Sequence, residues 1–245
     1  MNQSKSTIGF TIVELLIVIV VIGILAAITV VAYSGVQDRA RMAVALTFEK
    51  QLRSKYHTDA TGNWNFDECS GGVVGSGTLN RVDSNPIIGT PRWITDTPSG
   101  TGCALRFDGS NRIETQATLG SSAYVKAAWV RISTPTCGSN NIISQSATGG
   151  VAAAFYMPSC RPAAGHNGAW STSQSPLAIN DGKWHYVAAI WEDASLSIWI
   201  DGKNTITTTG IAPAGGSDAG TVAIGSHSGG NTMIGDIDNP FVAGR

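Results

Sequence analysis

One carboxylate stands alone in an apolar run: Glu14 is the only charged residue between Phe10 and Ala32. A carboxylate in such a segment is costly unless a cation or hydrogen-bond donors meet it, so its position marks a functional residue. The pair Gly9-Phe10 lies a few residues upstream. Cutting the chain between them would free an α-amine at Phe10, and a neighbouring chain's Glu14 could neutralise that amine in an apolar setting. Removing either partner would then leave a buried charge unpaired.

The second group with chemistry to offer is Cys69, Cys103, Cys137 and Cys160, all beyond the apolar run. None forms a C-x-x-C pair or stands at metal-ligand spacing from a histidine, which points to disulfides rather than zinc. Three pairings of four cysteines exist, and we favour Cys69–Cys103 with Cys137–Cys160. Cys69 closes an apparent strand, Trp64 to Glu68, and Cys103 opens another, Ala104 to Phe107. Antiparallel pairing of those strands would bring the two sulfurs together and stabilise the head by roughly 3–4 kcal/mol.

The elements that must position these groups differ sharply along the chain. Residues 1–9 are short and polar. From Phe10 to Ala32 the chain is almost entirely Ile, Val, Leu and Ala, and a helix over it would run about 35 Å, enough to cross a hydrocarbon core. That is longer than the apolar region of an ordinary signal peptide. Val36, Ala40, Val44, Phe48, Leu52 and Tyr56 then recur every four residues, leaving Asp38, Arg39, Arg41, Glu49 and Arg53 for solvent. This periodicity predicts that one helix continues to about Tyr56 and lays its stripe on a following domain.

The run Gly9-Phe10-Thr11-Ile12-Val13-Glu14-Leu15-Leu16-Ile17-Val18-Ile19 resembles the class III signal of type IV prepilins. The resemblance implies that a prepilin peptidase cuts between Gly9 and Phe10, that Phe10 is then N-methylated, and that Glu14 guides assembly with other pilin subunits. It also implies a single-pass precursor in the cytoplasmic membrane that moves to an extracellular pilus. Many pilins carry a helix-kinking proline where this sequence has Val31; Gly23 and Gly35 are the positions that could loosen the helix instead.

Beyond His57-Thr58-Asp59, short strand-like runs alternate with Gly, Ser, Asp and Asn. They include Tyr124–Ile132, Asn141–Gln145, Val151–Met157, Lys183–Trp191, Leu196–Ile200 and Thr221–Gly225, and Asp201-Gly202 reads as a type I′ hairpin turn. The expected fold is a long N-terminal α-helix followed by an all-β antiparallel sandwich or jelly-roll head. The expected divisions are a leader at 1–9, a transmembrane and amphipathic helix at 10–57, and the head at 58–245.

The head carries a second resemblance, to laminin-G-like, concanavalin-A-like domains. It rests on Trp64-Asn65-Phe66-Asp67-Glu68, Ala104-Leu105-Arg106-Phe107-Asp108-Gly109-Ser110, Ala128-Trp129-Val130-Arg131, the hairpin from Asp181 to Lys203, and Gly235-Asp236-Ile237-Asp238. One departure follows the last motif, where Asn239-Pro240-Phe241 replaces the usual arginine-tyrosine continuation. Domains of this kind often hold calcium through oxygen ligands, which makes Asp67, Asp108 and Asp238 candidate ligands for a structural Ca²⁺. They also bind carbohydrate, and His166, Asn167 and Trp170 offer polar groups beside an aromatic ring in one loop.

Enzymatic activity is not expected. Glycanases of this fold place paired carboxylates on one strand, whereas Glu68, Glu114 and Glu192 are scattered. With a formal net charge of −1 the chain has no basic field for phosphates, so nucleic acid is not an expected partner. The leading expectation is a minor or tip pilin whose head adheres to a glycan or a host or cell-surface protein. Two alternatives stand beside it: a major pilin with a coat-like head, and a pseudopilin of a type II secretion or DNA-uptake system.

Overall fold

The structure is a computed structural model that describes residues 9–78, 81–90, 92–133, 137–138, 140–145, 153–215 and 220–245. The leader residues 1–8 and the first two residues of the expected Val151–Met157 strand lie outside the described residues. Two compact units divide the chain between Ala43 and Val44. From Val44 on, the helix belongs to the same compact unit as the sandwich, because its last turns pack on the head's own sheet.

The helix spans Ile12–Lys55. It starts two residues after Phe10 because Thr11 caps it. The Thr11 side chain accepts from the Glu14 N–H at 3.3 Å, and the Glu14 carboxylate accepts from the Thr11 N–H at 2.8 Å. This is the reciprocal capping box, which satisfies two otherwise orphaned donors. Ile12–Thr29 is long and apolar enough to cross a membrane. Thr29, a polar side chain in that span, satisfies its hydroxyl by donating to the Leu25 carbonyl at 2.7 Å.

The Val44–Arg245 unit is an antiparallel sandwich. Its main sheet runs in the order Lys203–Thr209, Ser195–Ile200, Trp184–Glu192, Tyr124–Arg131, Ile234–Gly244, Ala104–Asp108 and Arg92–Ile94, with Ala60–Asn63 also paired to Ile234–Gly244. The facing sheet orders Val73–Thr78, Arg81–Ile88, Arg112–Thr118, Thr221–Ile224 and Ile143–Gln145. A smaller sheet, Ser173–Gln174, Ala163–Gly165, Ala154–Met157 and Asn140–Asn141, completes the unit. Alternation along each strand assigns the faces. In Trp184–Glu192, Val187, Ala189 and Trp191 enter the core between the sheets.

The opposite face of the main sheet is buried too, which is why its central strands read as nearly continuous apolar runs. Trp129 and Tyr186 are fully buried there, and the Phe48 ring stacks on Trp199 with centroids 5.1 Å apart. Ala45, Leu52 and Tyr56 are buried from the helix side. Each large apolar side chain removed from water contributes roughly 1.5–3 kcal/mol.

Glu49 and Arg53 overturn part of the expected stripe. Both were assigned to solvent, yet Glu49 is 7% exposed and Arg53 is half-buried. The face that enters the head is rotated to include them because polar partners wait there. Trp129 Nε1 donates to Glu49 at 2.7 Å, and Arg53 Nε donates to the other Glu49 oxygen at 3.0 Å. Arg53 also donates to the Asn63 side-chain oxygen and, at 2.6 Å, to the Asn239 carbonyl.

That carbonyl is presented by a bulge. The ladder between Ile234–Gly244 and Tyr124–Arg131 shifts register between Asp238 and Phe241, and Asn239 takes φ 48°. Proline inside a sheet is confined to such irregularities. Asn239-Pro240, where the motif departs from its family pattern, is thus the point at which the helix is tied to the strand.

The two disulfides join Cys69 to Cys103 and Cys137 to Cys160, with Cα atoms 5.4 and 4.9 Å apart. The sequence predicts that the first disulfide closes between two paired strands, and it does not. Trp64 to Glu68 is an irregular connection, broken by positive φ at Phe66 and Cys69, and Ala104–Asp108 pairs with Ile234–Gly244 and Arg92–Ile94 instead. The Asp201-Gly202 turn has φ of 51° and 79°, as a type I′ hairpin requires.

Candidate functional site

Gly9 and Phe10 precede the helix as irregular chain, and Phe10 is exposed. A Cβ added at Gly9 would meet nothing within 4 Å, and Gly9 is not held at positive φ. Among the described residues nothing therefore demands glycine at this position. Glu14 lies one turn on, with its carboxylate also accepting from the Thr11 hydroxyl at 2.8 Å.

The loop assigned to ligand binding divides by side chain. His166 is turned inward and is 2% exposed. Its Nε2 faces the Ala212 carbonyl at 2.8 Å and must carry the proton there, leaving Nδ1 to accept from the Tyr124 hydroxyl at 3.0 Å. Both ring nitrogens are thus engaged, which corrects the assignment of His166 as a ligand contact. Asn167, at φ 55°, uses its amide to clamp the chain opposite. It donates to the Pro213 carbonyl at 2.9 Å and accepts from the Gly215 N–H at 2.7 Å.

Trp170 remains at the surface, 37% exposed, but with partners that the sequence did not reveal. Its ring meets Tyr156 edge-on at 5.5 Å and His227 at 4.3 Å. Tyr156 stands on the outer face of the small sheet, where Ala154, Tyr156 and Ala163 form their own apolar cluster. Its hydroxyl is fixed against the Ser171 hydroxyl at 2.5 Å. His227 comes from a tight turn closed by a bridge to Gly230. Burial, helped by the charge of Lys126, pushes the His227 imidazole below its usual range, so it is neutral near pH 7. The three rings form an aromatic cluster in which Tyr156 is buried while Trp170 and, in part, His227 reach the surface. Tyr156 sits in a recognisable strand; nothing in the sequence linked His227 to Trp170.

The three candidate calcium ligands are not brought together. Among the described residues no group of three His, Cys, Asp or Glu side chains is placed to hold a metal. Asp108 is opposite Ile234 in the ladder, four residues from Asp238, or about 13 Å along the strand. It serves its own turn, accepting from the Ser110 N–H at 2.9 Å and hydroxyl at 2.6 Å, and these bonds hold its carboxyl below the usual range. Asp67 pairs with the Asn65 amide at 2.7 Å. Asp238 is 2% exposed and accepts from the Asn239 N–H at 2.8 Å. Burial, reinforced by the charges of Glu49 and Asp67, pushes it up to about 8. The three-aspartate set therefore does not fit a calcium ion.

The three glutamates weighed as catalytic carboxylates are held in separate contacts. Glu68 accepts from the Gly75 N–H, Glu114 pairs with Arg112, and Glu192 pairs with Lys55 and Tyr56.

Comparison with known proteins gives two family matches. Residues 5–30 match the prokaryotic N-terminal methylation motif, and residues 104–243 match the concanavalin A-like lectin/glucanases superfamily. The fimbrial protein EcpC of Eikenella corrodens is 34% identical over 164 residues, covering 64% of this chain and 92% of EcpC. The type IV major pilin PilE of Neisseria gonorrhoeae is 36% identical over 74 residues, 29% of this chain and 44% of that protein. Among solved structures, domain 4 of AbnA, an extracellular arabinanase of Geobacillus stearothermophilus solved with arabinotriose, aligns with a TM-score of 0.59. It does so at 16% identity, over 76% of this chain and 92% of that one. Trypanosoma rangeli sialidase aligns with a TM-score of 0.53 at 13% identity, over 77% of this chain and 31% of the sialidase. These structural likenesses are likenesses of fold.

Proposed function

The chain belongs to the type IV fimbrial proteins and carries a concanavalin A-like head, and from that premise we propose that it is a minor or tip-located pilin whose head binds a glycan. The observation that carries the adhesive part is the exposed Trp170 ring flanked by Tyr156 and His227. Sugar rings present apolar C–H faces and a rim of hydroxyls, which suits an exposed aromatic ring with polar groups nearby. The arabinanase domain of the same fold was solved with a sugar, and this guides the choice of probes.

In this proposal prepilin peptidase cleaves between Gly9 and Phe10, and Phe10 becomes the methylated N-terminus. Gly9 supports it because nothing among the described residues asks for glycine there, so an external reader of that position would account for it. The helix Ile12–Thr29 holds the precursor in the cytoplasmic membrane and becomes part of the filament after the cut. Glu14 then exchanges its own Thr11 donors for the amine of a neighbouring subunit.

An oligosaccharide array probed with the Val44–Arg245 unit tests the adhesive assignment. The wild type should bind a defined set of sugars, and Trp170→Ala should lose at least tenfold in affinity with an unchanged melting temperature. A blank array from the folded wild-type unit would overturn the glycan assignment and favour a coat-like head.

A further inference from the structure

A row of charged side chains crosses the outer face of the main sheet. Arg92 is opposite Arg106 in the ladder, Arg106 is opposite Asp236, Asp236 is opposite Arg131, and Arg131 is opposite Trp184. Directly opposed residues project to the same side of a sheet. That side is the outer one, because the adjacent Leu105, Val130 and Ile237 enter the core and Trp93 packs against it.

Charge along this row does not balance. Asp236 is 3% exposed and accepts from Arg106 Nε at 2.7 Å, from Arg106 Nη2 at 3.1 Å and from Arg131 Nη2 at 2.7 Å. Arg131 also meets Asp96 and lies over the Trp184 ring, 4.8 Å from its centroid. Three guanidinium groups thus stand against two carboxylates. The unmatched one is Arg92, which is exposed and has no carboxylate partner among the described residues.

Like charges directly opposite one another across a ladder destabilise the pairing. Arg106 cannot relieve this by turning away, because Asp236 holds it through two bonds. A bound anion would relieve it, and guanidinium donors suit oxyanions through paired N–H bonds. We infer that Arg92 and Arg106 form a binding site for an oxyanion, a carboxylate or sulfate group carried by a ligand of the head. Asp236 fixes Arg106 beforehand, so only Arg92 has to be ordered on binding, which keeps the entropic cost low. The site stands apart from the Trp170 cluster: that ring meets Tyr156 of the small sheet, whereas the arginines lie on the main one.

Melting of the detergent-solubilised full chain tests this, in sodium chloride and then in sodium sulfate or glucuronate at equal ionic strength. Arg92→Gln and Arg92→Glu are measured beside the wild type. In dilute chloride both variants should melt above the wild type, because the opposed charge is gone. Sulfate or glucuronate should raise the wild-type midpoint, and Arg92→Gln should lose most of that rise. The general exclusion of sulfate from protein surfaces acts on both proteins, so the difference between them isolates the site. Calorimetric titration with the more effective anion should show affinity about tenfold weaker or more in Arg92→Gln, the loss of one charge-assisted contact. Equal responses of the wild type and Arg92→Gln to both anions would overturn the inference. Variants that keep the wild-type midpoint in every salt but aggregate would overturn it too, and would make Arg92 a guard of the exposed sheet edge.

Discussion

Trp129 donates its indole N–H to Glu49 at 2.7 Å. The donor lies on a central strand of the head and the acceptor on the helix, and neither is exposed. Arg53 balances the carboxylate from one turn further along and reaches on to Asn63 and Asn239. The last turns of the helix are thereby a structural part of the sandwich.

Glu49→Leu should destabilise the Val44–Arg245 unit by about 3–5 kcal/mol, because it leaves the Arg53 charge and the Trp129 N–H buried without their partner. Glu49→Gln keeps an acceptor for Trp129 and should cost less. Starting the chain at Thr58 removes the whole cover from Trp129, Tyr186 and Trp199, and should yield an aggregating head where the Val44 start is monomeric. Thermal unfolding and light scattering of the four proteins check this; equal stability of the Thr58 start would contradict the packing argument.

Gly202 offers a sharper test of the same surface. It sits at φ 79°, and a Cβ there would lie 3.1 Å from Phe48 Cβ and 3.2 Å from Val44 Cγ1. Gly202→Ala should cost about 1–2 kcal/mol for the left-handed conformation alone, with crowding of Phe48 added. Gly210 is also at positive φ but has open space around it, so Gly210→Ala should show only the conformational part. Urea unfolding of the two variants separates the contributions.

Asp238 gives the head a pH dependence of known sign. Its folded pKa is raised to about 8 from the usual 3.8, so its contribution to stability is fully present below the unfolded carboxylate range. It is lost progressively as pH rises through about 8. The melting temperature should therefore decline from mildly acidic to mildly alkaline pH, and Asp238→Asn should flatten that decline. Parallel pH profiles for the two proteins would rule out this origin.

Gly9→Leu should leave the fold untouched, since the added side chain enters open space. If a peptidase reads this position, the variant should accumulate uncut in the membrane; mass spectrometry of the N-terminal peptide decides. Glu14→Ala should be cut normally but yield few filaments. Thr11→Val, which removes the hydroxyl that helps hold Glu14, should fall between the wild type and Glu14→Ala in filament yield.

Local pattern was enough for what local energetics controls. The apolar run from Phe10 and the Asp201-Gly202 turn were legible because each depends on neighbours in the chain. Glu49, His166 and Asp238 were not. A Glu on a helix face reads as solvated until a distant indole is found to meet it, and His166 reads as a loop ligand until Tyr124 and Ala212 take both nitrogens. The aromatic cluster of Trp170, Tyr156 and His227 likewise exists only because separate sheets meet. Burial of a polar group depends on whether a partner arrives from elsewhere in the fold, and tertiary structure alone decided that.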